Sequence, residues 1–146
     1  MGNFCRDFPD NFESEILPED AKECKDKVYH VMKYNDPEDP SLDFLSTYEE
    51  IVVRKLHSRK KPLDLNDPST YSTSCFLDKE SALYLMDIFR LHYPRPYLAE
   101  GFTRAECGVS QKTYERTGDE GDKHHVDWWL YENSSPHRHF EEVKDE

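Results

Sequence analysis

The seven residues His125-Val126-Asp127-Trp128-Trp129-Leu130-Tyr131 constrain the fold more than any other stretch of this chain. Successive side chains of a strand point to opposite faces of a sheet. Val126, Trp128 and Leu130 therefore fall on one face, and Asp127, Trp129 and Tyr131 on the other. A strand with large apolar residues on both faces has to be covered on both sides. Both tryptophans of the chain lie here, so the run reads as a central strand with layers above and below.

The remaining pattern supplies those layers. The chain has 146 residues, enough for one ordinary domain (1–146) and too few for two good cores. Hydrophobic residues make up only 36 % of it and charged residues 34 %, but 9 Tyr and 8 Phe add large side chains to a small core. Val28 to Tyr34 and Tyr71 to Phe76 read as strands from their β-branched and aromatic residues. Tyr97 to Ala99 and Val109 to Tyr114 suggest two more. Asp78 is a good N-cap for a helix over 79–92, where Ala82, Leu85, Met86 and Phe89 recur at helical spacing before Pro94. A second amphipathic helix is expected over 42–57, capped by Ser41 and carrying Phe44, Leu45, Tyr48, Ile51 and Val52. Phe4, Phe8 and Phe12 are spaced by four but interrupted by Pro9, so residues 1–27 read as a docked arm, with a short helix entered at Leu17-Pro18-Glu19-Asp20. The polar tail 133–146 is expected to fray. Without regular strand–helix alternation, the order predicts an α+β domain whose central sheet is mixed or mostly antiparallel, with two main helices.

The formal net charge of -12, from 31 acidic and 19 basic residues, disfavours nonspecific binding to nucleic acid or an anionic membrane. It suits a basic protein partner. No apolar stretch is long enough to span a bilayer, and no secretory pattern opens the chain, so a cytoplasmic protein is expected. Cys5, Cys24, Cys75 and Cys107 stand far apart with no CxxC pair, and His124, His125, Asp127, His137 and His139 lack a diagnostic spacing, so no metal is expected. His125 is also a candidate for acid–base work, and Cys75 or Cys107 for a nucleophile, with core packing the plainer role for a cysteine. The basic block Arg54 to Lys61 reads either as complement to a helix C-terminus or as an anion contact.

The segment from Thr70 to Asp78 bears most directly on chemistry. Tyr71-Ser72-Thr73-Ser74 leads into the Asp78 helix, and Tyr29-His30-Val31 lies on the first strand. Over about residues 28–90 these features resemble the ADP-ribosyltransferase superfamily, where a Ser-Thr-Ser strand braces the nicotinamide pocket. The resemblance implies NAD as cofactor, His30 and Ser74 in catalytic positions, and Tyr71, Ser72 and Thr73 against the dinucleotide. It also implies a glutamate at the ribose, with Glu132 the first candidate and Glu49, Glu50, Glu141 and Glu142 the others. Such a protein is an effector or toxin of bacterial or phage conflict. Cleaving a bond to a cationic nicotinamide needs positioning and a carboxylate near developing positive charge, which these residue types supply.

A second reading needs no catalysis. A small acidic domain with accessible Tyr and Trp can cover a basic site on a partner, as immunity proteins, antitoxins and anti-defence inhibitors do. The two readings part on geometry: a nucleotide pocket requires His30, Tyr71 and Ser74 to converge on one concave site.

Overall fold

A computed structural model of the chain describes residues 2–144. Among these, six strands form one antiparallel sheet: β1 (Lys27–Met32), β2 (Thr73–Phe76), β3 (Tyr97–Phe102), β4 (Gly108–Lys112), β5 (His125–Leu130) and β6 (Phe140–Glu142). Their order is β4-β5-β2-β1-β3-β6. Two α-helices accompany them, α1 (Lys79–Phe89) and the short α2 (Thr113–Thr117). The α+β class read from the sequence holds. No helix of the described residues is long and apolar enough to cross a membrane.

β5 lies inside the sheet, paired with β4 on one side and β2 on the other. Its alternation separates two cores. Val126 and Trp128 pack with Val28, Met32, Phe44, Cys75 and Ala99 on one face. Trp129 and Tyr131 pack on the other with Phe4, Phe8, Phe12, Ile16, Tyr71 and Val109. The aromatic stripe of the N-terminal segment thus covers the β4–β5 end of that face, with ring centroids 4.8 Å apart for Phe8–Phe12 and 5.3 Å for Phe4–Phe12. Beside it α1 lays Ala82 and Met86 against Val31 and Leu98. Asp78 caps α1 by accepting from the Ser81 N–H at 3.3 Å.

The sheet has a seam. β1 pairs with β3 over its six residues, from Lys27↔Phe102 to Met32↔Tyr97, and β2 pairs with β5 over four. β1 and β2, however, are registered only at Tyr29↔Phe76. Past that pair the strands part, and the His30 imidazole stands in the gap, 2.8 Å from the Ser74 carbonyl through Nδ1 and hydrogen-bonded to the Asp43 carbonyl through Nε2.

Several expected elements differ. The helix over 42–57 divides into a 3-10 turn at Pro40–Phe44 and a helical stretch 47–53 that ends as a π turn, Glu49–Val53. The break has a local cause: Ser46 and Glu49 form a capping box, the Glu49 N–H donating to Ser46 Oγ while Glu49 Oε1 accepts from the Ser46 N–H, both at 3.2 Å. The cap thus sits at Ser46, not Ser41. No helix follows Leu17-Pro18; the chain turns there and Lys22 bridges to Ser110 on β4. Thr113 and Tyr114, expected in a strand, open α2. The tail expected to fray carries β6, whose register with β3 runs from Ala99↔Glu142 to Gly101↔Phe140; its last two residues lie outside the described ones. Gly101 permits that pairing, because a Cβ there would meet the His139 carbonyl at 2.5 Å.

Candidate functional site

The Ser72-Thr73-Ser74 run spreads its hydroxyls over both faces of β2. Thr73 is buried and donates to the Phe44 carbonyl at 2.5 Å, fastening the 3-10 turn to the sheet. Ser72 is buried and donates to Asp127 Oδ1 at 2.5 Å. Ser74 alone keeps an exposed hydroxyl. Tyr71, expected to stack on a nucleotide ring, is 1 % exposed, packs among Phe8, Phe12 and Tyr48, and donates its hydroxyl to the Leu65 carbonyl at 2.7 Å.

His30, next to Tyr29 on β1, turns to the Trp128 face, where its ring centroid lies 4.6 Å from that of Phe44 at a tilt of 33°. Ser74 belongs to the opposite, α1 face. The two line one cavity only through the gap in the seam. That cavity, of about 210 Å³, is also lined by Lys33, Glu50 and Ser72. Pockets that bury a drug-sized ligand run to about 300–1,000 Å³. Both His30 nitrogens already face carbonyl oxygens, so the ring is a tie between strands and not a free hand for a dinucleotide. Burial pushes its pKa below the ordinary histidine value, against the pull of the Asp43 and Ser74 carbonyls.

Glu132 does not reach this cavity. It follows β5, and its carboxylate accepts from the Arg6 N–H at 2.8 Å in the docked N-terminal segment. Two acids line the cavity: Asp43, whose carboxylate accepts from the Tyr34 N–H at 2.8 Å, and Glu50, which is buried and takes Lys33 at 2.9 Å, the Tyr34 hydroxyl at 2.5 Å and His57 at 3.0 Å. The Lys33 ammonium also sits 5.1 Å from the Phe89 ring centre, 5.2 Å from Tyr34 and 5.5 Å from Tyr93. The Tyr34 hydroxyl pKa is driven up by burial and by Glu50. Cys75 is fully buried and burial drives its thiol pKa up, which removes it as a nucleophile. Glu141 and Glu142 lie on the edge strand β6.

An extensive polar network among the described residues lies one strand away and centres on Asp127, which the sequence offered as a metal-ligand candidate beside His125. Asp127, 0 % exposed, accepts from Ser72, from Ser69 at 3.2 Å, from Thr113 at 2.8 Å and from Arg116 at 2.9 Å. Arg116 also donates to Gln111, which donates to Asp20 at 2.6 Å. His125 joins through Thr113 at 2.6 Å. The network is positioned by the β2–β5 and β4–β5 registers, which place Ser74 and Gln111 on either side of Asp127. The one signal in the sequence was an acid placed between Val126 and Trp128 on a strand apolar on both faces; its hydroxyl partners come from other segments. Among the described residues no group of three or more His, Cys, Asp or Glu side chains is arranged to hold a metal ion.

No protein-family model matches the chain, and comparison with curated proteins and with solved structures finds no match.

Proposed function

We propose that this chain is a noncatalytic acidic interaction protein that covers a basic site on a protein partner. One observation carries the reading: α1 and the turn after it expose Tyr84 (72 %), Ile88 (41 %) and Leu91 (79 %) as a stripe at helical spacing. Large apolar side chains grouped on a surface mark interaction sites, and tyrosine is a favoured anchor. Glu80 lies exposed on the same helix, Asp87 is paired with Arg90 at 2.7 Å, and the chain as a whole carries a net charge of -12, which favours a basic partner. The hydroxyls of Tyr71, Ser72 and Thr73 are spent on the protein's own contacts, which leaves little for a dinucleotide.

The nucleotide-pocket reading, an NAD-using ADP-ribosyltransferase-like effector or toxin, keeps one observation in its favour. His30, Ser72 and Ser74 line one small cavity, and Glu50 would serve there in place of Glu132. A paired experiment separates the two. Capture from cell extract with the wild type is expected to yield a basic protein that the Tyr84→Ala/Leu91→Glu variant loses and Ser74→Ala retains. Calorimetry with NAD at about millimolar concentration is expected to give no heat. Heat that Ser74→Ala abolishes would overturn the interaction reading.

A further inference from the structure

A groove of about 580 Å³ runs between α1 and the residues leading into β5. Phe76 and Tyr84 give it aromatic surface, Asp78 and Glu80 stand at the helix end of it, and His125 lines the other side. The state of His125 follows from the Asp127 network. Thr113 has one hydroxyl proton, and Asp127 takes it at 2.8 Å. The Thr113 oxygen, 2.6 Å from His125 Nδ1, is then an acceptor, so Nδ1 carries the ring hydrogen. Nε2 is left with its lone pair on the other edge of the ring.

Burial lowers the His125 pKa and favours this neutral form; Asp127 and Asp122 pull the other way, and Arg116 acts with burial. At the far end, Asp78 Oδ2 accepts from Ser81, while Oδ1 is buried with no donor among the described residues. Asp78, Glu80 and His125 Nε2 thus supply acceptors, beside Ser81 and His124, with Phe76 and Tyr84 as aromatic surface. A planar cation with several N–H groups complements such a slot better than a compact ammonium, because it stacks on rings and is weakly hydrated.

We infer that this groove receives the guanidinium of an arginine side chain from the basic partner, with Glu80 and His125 Nε2 accepting its N–H groups and Tyr84 covering its plane. The inference rests on the interaction reading and names the partner's anchoring residue. Lysine and neutral side chains are the competing occupants.

The test is an NMR titration of the full chain with N-acetyl-arginine amide, against N-acetyl-lysine amide and the uncharged N-acetyl-citrulline amide. Saturable shifts are expected at His125 and Tyr84 with arginine, about tenfold weaker with citrulline and about threefold weaker with lysine. Glu80→Gln, at an exposed position, and His125→Gln, at a half-buried one, should each weaken arginine about fivefold or more, with unchanged urea midpoints showing that the fold is intact. No saturation by about 50 mM arginine overturns the inference, as does citrulline or lysine binding equally well. If a basic partner is still captured and lost with Leu91→Glu, which lies outside the groove, only the arginine slot fails. If capture fails as well, the interaction reading fails with it.

Discussion

Replacing Asp127 by Asn tests whether the buried acid organises its half of the sheet. Asn keeps the volume and one acceptor oxygen. Its cheapest orientation turns the amide nitrogen toward Ser72, whose hydroxyl can rotate to accept, and leaves the carbonyl facing Ser69, Thr113 and Arg116. The bonds survive in number but lose the charge. Hydrogen bonds to a charged group contribute about 1.5–3 kcal/mol against about 1 kcal/mol for neutral ones, and stranding one member of a buried ion pair costs about 3–5 kcal/mol. Arg116 retains 20 % side-chain exposure and its bonds to Gln111 and Ser69, which relieves part of that cost. A loss of about 3 kcal/mol follows. With a urea m-value of about 2 kcal/mol per molar, the midpoint falls by about 1.5 M. Trp128 and Trp129 flank the substitution and are 1 % and 0 % exposed, so their fluorescence reports the transition. In a double-mutant cycle with Arg116→Met, the pair should couple by about 2 kcal/mol. A midpoint within about 0.3 M of wild type at unchanged m would refute the assignment of Asp127 as an organising charge.

Acid should destabilise the protein in a defined window. His30 and His125 have folded pKa values below the ordinary one, so the unfolded chain binds protons first, and stability falls as pH drops below about 6.5. Asp43 and Glu49, whose pKa values burial raises, oppose that trend nearer the carboxylate range by taking up protons in the folded state. Urea midpoints that stay flat between about pH 7 and 5.5 would contradict this. Gly108→Ala would place a Cβ 2.1 Å from the Trp129 carbonyl oxygen and should cost about 3 kcal/mol or more; an unchanged urea midpoint would show that β4 can shift freely. Tyr84→Ser, at a side chain 72 % exposed, should change stability by under about 0.5 kcal/mol, and a larger loss would mean that the stripe belongs to the core.

Strands β1 to β5 and α1 were legible because their signals are local, whereas β6 lay in a tail whose polar composition hid it. Alternation placed Trp128 and Trp129 on opposite faces, and Asp78 marked where the helix begins. The helix over 42–57 was misread because the apolar spacing of Phe44, Tyr48 and Val52 outweighed Ser46-Thr47-Tyr48-Glu49, a capping box visible in the sequence that starts a new turn. The site residues fared worse for a different reason. Whether Tyr71 faces a ligand or Phe8 depends on where a segment sixty residues away docks, and local pattern carries no such information. His30 was read as a catalytic residue against a dinucleotide, but its partners are two backbone carbonyls that only the tertiary arrangement brings near. Glu50 and Asp127 acquired their surroundings in the same way, Glu50 from Lys33 and Asp127 from Ser69 and Ser72 at long sequence separation.

The seam between β1 and β2 looks like a place where the domain could be divided, since one registered pair and a histidine join its halves. The path of the chain forbids it. From β1 the backbone crosses to β2, returns to β3, crosses again for β4 and β5, and comes back for β6. Each half is thus assembled from pieces alternating along the sequence, laced over the join like the two sides of a boot. No single cut separates one half from the other, so connectivity, together with the shared core of Val28, Met32, Val126 and Trp128, holds together a weak line in the hydrogen-bond ladder.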